Sequence, residues 1–467
     1  MAGQATFDVS AAIETQKLSG FTIRLVVVSW LVTFFDGFDM NVISFTSKQL
    51  EASFHLSHQM LGQVFSIGIF GTLLAGFLFG YIGDRIGRRP AIIFATGAFS
   101  ALTLALAFAW NYESLLALRF LNGLALGGAM PLIWALNMEY APKRMRATII
   151  TVIMLGYGIG VMVAGPVARL ILPRFDWPGV FILGGALSFV ATLLLFFALP
   201  ESLRFLTGRD GQHAAIHGIL RRMKVAIPPM ASPDEPARFI LTDEAPPTGK
   251  RFHLSMLFEG RLRWLTPLLW LSYFSSSIST FFLTSWGPLV LQDLGFSADH
   301  AAWVSSMNSL CSAVGGLALM RFTDRHGPIV IALLPLTAVP LLLTAGLAPV
   351  TLTQFIFLSI PISVFLGGSH YGVTSIVSMF YPSPIRASGT GWCSGVAKIG
   401  SVLGPLIGGY VLATSLPVKM TYALLAACPL VYGVAVLAIG IIERRERDLE
   451  PMLAGQAAAP AAAAAAE

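Results

Sequence analysis

The chain has 467 residues, of which 12% are charged and 55% are drawn from the apolar set AVILMFWYC, with a formal net charge of +6. Charged residues usually make up roughly a quarter of a soluble chain, so this composition excludes an ordinary soluble globular protein and marks an integral membrane protein. The excess of Lys and Arg is dispersed among short segments rather than gathered in one patch, which gives no reason to expect a nucleic-acid partner.

In chain order, a polar segment at 1–20 precedes uncharged or nearly uncharged runs at about 21–46, 59–82, 91–110, 113–139, 148–172 and 178–199. A second set follows at about 264–291, 300–320, 328–348, 351–380, 387–413 and 419–442. Each is near the roughly 20 residues a helix needs to cross a bilayer, which predicts twelve transmembrane helices. Barrel strands of about ten alternating residues do not fit runs of this length. The first twenty residues have no apolar core ahead of a small-residue cleavage site, so the first span is expected to remain in the mature chain. Lys17, Arg24, Arg85, Arg88, Arg89, Lys143, Arg144, Arg146, ten basic residues between 204 and 263, Arg321, Arg325, Arg386, Arg444, Arg445 and Arg447 fall on one side. The opposite loops hold Lys48, Arg169, Arg174 and Lys419. The positive-inside rule then places both termini in the cytoplasm.

An internal repeat organises these spans. Asp84, Arg85 and Gly87 of "GDRIGRRP" are echoed by Asp324, Arg325 and Gly327, and Gly127-Gly128, Arg146-Ala147 and Ile159-Gly160 recur at 367–368, 386–387 and 399–400, always at the same offset. This gives two six-helix bundles of like topology at 21–200 and 264–442. They are joined by a proline- and charge-rich linker at 201–263, expected to carry short helices at its ends and disorder in its middle. The tail at 443–467 is of low complexity and expected to be disordered. Cys311, Cys393 and Cys428 all fall within spans, as packing residues rather than disulfide or metal ligands.

Parallel six-span repeats are the architecture of the major facilitator fold, with a substrate site near the midplane. The loop "GYIGDRIGRRP" and the segment "PESLRFL" at 200–206 resemble that superfamily's signatures. More narrowly, "DGFDMNVISF" in the first span, "FLTSWGP" at 282–288 and "YPSPIRASGTGW" at 381–392 resemble its aromatic acid:proton symporters. The resemblance implies an inner-membrane transporter that imports a small aromatic carboxylate such as a hydroxybenzoate with protons, by alternating access. It implies no enzyme activity and no cofactor, and a monomer in the lipid bilayer. A proton-coupled exporter on the same fold, or a non-transporting sensor, remain as alternatives.

The charges inside the spans carry the candidate chemistry. Asp36 and Asp39 share one helix face, and their counterparts in the second repeat are Ser276 and Ser279, so the acids belong to the first bundle alone. Arg119 in the fourth span lies at nearly the depth of Asp39, counting about 1.5 Å of rise per helical residue, so the two can pair. Intramembrane charges face cavities and one another, and two carboxylates with one guanidinium are suited to binding and releasing a proton. Gly37 permits close helix approach. In the second bundle Lys398 and His370 fall at similar depth and could meet a carboxylate, with Tyr371 and Trp392 nearby. Phe34, Phe35, Phe38, Trp134, Tyr157, Tyr273, Phe274 and Phe281 lie on the spans that line the cavity in this fold, and of these Trp134 and Tyr157 are the expected substrate contacts. Asp84 with Arg85 and Arg88, Glu139 with Arg146, and Asp324 with Arg325 and Arg386 crowd the basic ends of the spans as a candidate gate.

Overall fold

The computed structural model describes residues 6–16, 19–209, 211–225, 238–240, 253–326, 328–382 and 385–444, without the side chains of 147, 238, 317–326, 328, 378 and 387. The order is β1 (Thr6–Asp8), α1 (Val9–Glu14), α2 (Gly20–Phe45), α3 (Ser47–Phe54), α4 (His58–Ile86), α5 (Arg88–Leu106), α6 (Tyr112–Tyr140) and α7 (Lys143–Ala198). Then come α8 (Leu203–Thr207), α9 (His213–Arg222), β2 (Arg238–Ile240) and a 3-10 turn at Leu254–Phe258. They are followed by α10 (Leu262–Asp293), α11 (Ala298–His326), α12 (Pro328–Leu347), α13 (Leu352–Phe380), α14 (Arg386–Leu412) and α15 (Met420–Leu425). The last of these opens a final span, Met420–Arg444.

Among the described residues nine helices are long and apolar enough to cross a membrane. One of them, α7, contains two of the predicted spans. Its 56 residues turn at Asp176, where φ 53° and ψ −168° break the helix inside the gap expected between 172 and 178. The break is held by its own side chain, since Asp176 Oδ1 accepts from Trp177 N at 2.7 Å, and by the buried Trp177 indole, whose Nε1 donates to Ser53 Oγ at 3.0 Å.

The sequence repeat is built into the helix ends and contacts. α6 starts with a capping box from Asn111 and Ser114, and α13, its counterpart in the repeat, with one from Thr351 and Gln354. Such boxes satisfy amide groups that the first helical turn leaves unpaired. At the far ends, Arg146 Nε donates to the Ala141 carbonyl at 3.1 Å and Arg386 Nε to the Tyr381 carbonyl at 3.2 Å, the same reach back along the chain. Close helix contacts repeat as well. A methyl group on Gly160 would fall 2.0 Å from the Phe34 carbonyl oxygen, and one on Gly400 would fall 2.4 Å from that of Phe274.

The chain divides into two compact units. The first holds residues 1–250 together with 284–292 and 296–309, and the second holds 251–283, 293–295 and 310–467. In the first, α2 packs on α7 and α4 on α6, and the segment from α10 brings the fully buried Trp286 edge-on to Phe65 at 5.2 Å. At the basic end of this unit one apolar cluster joins Leu25, Val28, Phe79, Ile92, Ile133 and Leu199 to Val9 and Ile13 of α1 and Ile216 and Leu220 of α9.

The linker has the expected short helices, α8 and α9 on one side and the 3-10 turn on the other. It also has a strand that the sequence does not announce. β2 pairs in parallel with β1, Thr6 opposite Arg238 and Asp8 opposite Ile240, so the N-terminal segment is tied to the linker that follows the first bundle. Asp8 then caps α1, accepting from Ser10 N at 2.9 Å and Ala11 N at 3.2 Å. The remainder of the linker's middle and the tail from 445 lie outside the described residues.

Candidate functional site

Span α2 is apolar enough to sit in a bilayer, yet its buried face carries Ser29, Thr33, Asp36, Asp39, Asn41 and Ser44. The two acids come to that face because three residues make nearly one helical turn. Asp39 is 2% exposed and Asp36 8%. Opposite them Gly37 closes on α7, where a methyl group would lie 2.2 Å from the Tyr157 carbonyl oxygen, so any other residue there would force the two helices apart.

The depth match between spans one and four is realised as a contact. Arg119 Nη1 donates to Asp39 Oδ2 at 3.2 Å, and Arg119 is itself 2% exposed. Gly68 of α4 makes room for the guanidinium, since a methyl there would stand 3.2 Å from Nη2. Arg119 Nε is buried without a hydrogen-bond partner, so this cation keeps unused donor capacity. Two polar residues missing from the sequence-based site complete the cluster. Thr103 Oγ1 of α5 donates to Asp39 Oδ1 at 3.2 Å, and Asn122 Nδ2 of α6 donates to Thr103 Oγ1 at 2.8 Å. Both are buried, at 2% and 1% exposure. Isolated threonines and asparagines are too common in helices to signal a site. Their depth beside Asp39 and Arg119 was the available clue.

Of the aromatic candidates in this unit, Trp134 packs between two apolar clusters, and its Nε1 is buried with no hydrogen-bond partner. Tyr157 meets the site through its backbone at Gly37 and is half-buried.

The second unit places its candidates on α10, α13 and α14. His370 Nδ1 shares a hydrogen bond with Ser276 Oγ at 2.8 Å, and the Tyr273 ring lies 5.8 Å from the imidazole. Ser276 stands where the repeat puts Asp36, so the two units fill equivalent positions with a carboxylate and with a hydroxyl bonded to imidazole. Tyr371 packs on Gly316, whose hydrogen leaves space that a methyl would take from the ring at 2.4 Å. Trp392 is 45% exposed and lies parallel to Trp270 at 6.1 Å and 19°. Lys398 is exposed on α14.

At the basic end of the first unit, Glu139 is 8% exposed and forms an ion pair with Arg88, while Ser202 Oγ donates to its other oxygen at 2.5 Å. Arg146, the partner expected from the sequence, donates its Nε to the Ala141 carbonyl. Arg88 is reached because Gly87 turns the chain at φ 103° between α4 and α5. Glu201 seals this turn. Its Oε1 accepts from the backbone N–H groups of Arg88 at 2.9 Å, Arg89 at 3.1 Å and Ser202 at 2.8 Å, a carboxylate at the N-terminus of α5 where the helix dipole favours it. The "PESLRFL" segment thus contributes a helix cap that the sequence-based gate omitted. Asp84 and Arg85 are exposed, with the Arg85 guanidinium 4.6 Å over the Tyr81 ring. The side chains of Asp324 and Arg325 lie outside the described residues.

Comparison with known proteins gives the family and the fold. The profile of the Major Facilitator Superfamily matches residues 29–267 and 269–464. The chain is 30% identical to the 4-hydroxybenzoate transporter PcaK of Pseudomonas aeruginosa, over 94% of this chain and 97% of that one. It is also 30% identical to a gallate transporter of Pseudomonas putida, over 93% and 96%. Among solved structures it resembles the D-xylose-proton symporter with a TM-score of 0.67 at 17% identity, covering 90% of this chain and 97% of that one, a likeness of fold.

Proposed function

Because the chain belongs to the Major Facilitator Superfamily, we propose that it imports a small aromatic carboxylate of the hydroxybenzoate type together with protons, by alternating access in the bacterial inner membrane. The substrate class is supported by the relatives that cover nearly the whole chain, which carry 4-hydroxybenzoate and gallate. The single observation that carries the coupling is the buried set of Asp36, Asp39 and Arg119 in the first unit. An anion entering a cell that is negative inside works against about 2.3 kcal/mol per charge per 100 mV. An accompanying proton offsets that cost, and a carboxyl group in the translocation path is the group able to bind and release it.

In this reading the two units divide the work. The first handles the proton through Asp36, Asp39 and Arg119, and the second offers Lys398 and His370 to the substrate carboxylate and Tyr371 and Trp392 to its ring. Trp134 and Tyr157 add surface from the first unit. The basic end, with both termini, faces the cytoplasm in accord with the positive-inside rule. There Asp84, Arg85, Arg88 and Glu139, with Asp324 and Arg325, act as a gate, and Arg146 and Arg386 brace it by capping the helix ends. The transporter works as a monomer in the lipid bilayer. Purified protein in proteoliposomes, given an inward proton gradient and radiolabelled 4-hydroxybenzoate, gallate or benzoate, tests the reading. Accumulation abolished by a protonophore is expected, and efflux-only activity or no flux of any aromatic acid would overturn it.

A further inference from the structure

We propose that Thr103 and Asn122 are positioning residues of the coupling site, forming a directed hydrogen-bond relay that holds Asp39 as a fixed acceptor facing Arg119 and sets how readily it takes a proton. The inference rests on the reading of Asp39 as part of the proton-coupling set.

The direction of the relay follows from donor inventories. The Asn122 amide nitrogen can only donate, and it donates to Thr103 Oγ1 at 2.8 Å. One acceptor site of the threonine oxygen is thereby occupied, and its single hydroxyl hydrogen points to Asp39 Oδ1 at 3.2 Å. The other carboxylate oxygen receives Arg119 Nη1 at 3.2 Å. Asp39 is thus met from two sides by donors. A proton added at Oδ1 would turn the threonine hydrogen away from Asp39, toward a carbonyl of its own helix, so the hydrogen bond to the charged form would be lost. The relay favours the carboxylate over the acid and keeps Asp39 oriented while the proton moves.

The repeat supplies an independent argument. The four positions 39, 103, 119 and 122 correspond to Ser279, Leu343, Ser359 and Ile362. The second unit keeps the fold with apolar or small residues at every one of them, so helix packing does not demand the polar set. The other ionisable groups around Asp39 are few. Asp36 lies on its own helix, Arg119 comes from α6 and Tyr157 from α7. The charged residues of α4, α5 and α6 other than Arg119 lie toward the ends of those helices, among them Asp84, Arg88, Glu113 and Glu139, those of α7 lie at its start or around the turn at Asp176, as Arg169 does, and His58 starts α4.

The test compares Thr103→Val, Thr103→Ser and Asn122→Leu in the full-length protein. Valine keeps the shape of threonine and removes the donor. In proteoliposomes the pH profile of 4-hydroxybenzoate uptake should move upward by about one pH unit in Thr103→Val, the lower end of what a hydrogen bond to a charged group is worth. Thr103→Ser should restore the wild-type profile, and Asn122→Leu should move it in the same direction by less. A second readout needs no substrate: the infrared carboxyl band that disappears in Asp39→Asn should titrate about one unit higher in Thr103→Val detergent-purified protein. That arm still decides the matter if the wild type fails to carry 4-hydroxybenzoate, in which case the functional reading falls on its own. An unchanged infrared midpoint in Thr103→Val, or a shift in Thr103→Ser as large as in the valine variant, overturns the relay.

Discussion

Replacing Arg119 by methionine removes the cation and keeps most of the volume, and its cost can be worked out in two ways. At the observed 3.2 Å separation, an effective dielectric near 20 gives an attraction of about 5 kcal/mol. Breaking a buried pair by deleting one partner is known to cost ~3–5 kcal/mol, because it strands the other charge. Asp39 has an escape that limits the loss, since it can take up a proton. For a carboxyl that ionises near pH 3.9 when unfolded, holding that proton at pH 7 costs roughly 3.1 × 1.36, or about 4 kcal/mol, and at pH 5 about 1.5 kcal/mol. The sign follows from proton counting. The folded variant binds one more proton than the unfolded chain, so its stability falls as pH rises above the ordinary carboxyl range. Arg119→Met should therefore be less stable than wild type by ~4 kcal/mol at pH 7 and by ~1.5 kcal/mol at pH 5. The double variant Arg119→Met/Asp39→Asn should lose much less, and by the same amount at both values. Chemical unfolding in mixed detergent micelles at the two pH values measures this. A loss of equal size at pH 5 and pH 7, or a double variant no more stable than the single, would refute the reasoning.

Asp36→Asn and Asp39→Asn should each abolish accumulation driven by a pH gradient while membrane expression stays near wild type, and full accumulation in both would remove the acids from coupling. Gly87→Ala should destabilise the first unit by roughly 1–3 kcal/mol, the scale of a strained backbone residue, because φ is 103° and the added methyl would sit 2.5 Å from Glu201 Oε2. A melting temperature equal to wild type would show that the turn relaxes freely. Lys398→Ala should weaken binding of 4-hydroxybenzoate at least tenfold and leave its uncharged amide nearly unaffected. Equal weakening of both by calorimetry would assign the lysine to packing.

The features most legible in the sequence were those in which a residue contradicts its surroundings. Asp36, Asp39 and Arg119 stand out because charge inside an apolar run is costly, and the regular rise of a helix sufficed to bring Asp39 to Arg119. The constant offset of the repeat was equally plain, and it reappears in contacts as the capping boxes at Asn111 and Thr351 and the arginine caps at Arg146 and Arg386. Thr103 and Asn122 were hard to read because hydroxyl and amide side chains are ordinary in membrane helices, and the depth they share with Asp39 and Arg119 does not by itself single them out. The Glu139–Arg88 ion pair was hidden for a related reason: nothing local in the sequence announces that the turn at Gly87 brings Arg88 to Glu139 from another helix. The pairing of Thr6–Asp8 with Arg238–Ile240 lacked any local signal, since two such short strands have no periodicity to detect.

That strand pair also dictates how the protein can be taken apart. Because the N-terminal residues and the linker share backbone hydrogen bonds as far as Ile240, a gene divided between Ile240 and Leu254 would yield a first polypeptide that keeps both strands on one molecule. A division ahead of Arg238 would leave them on different molecules, and bulky N-terminal fusions would crowd the same edge. For split expression, reporter fusions or reconstitution from halves, the workable seam lies on the C-terminal side of the strand, well away from the midpoint of the linker that hydropathy alone would choose.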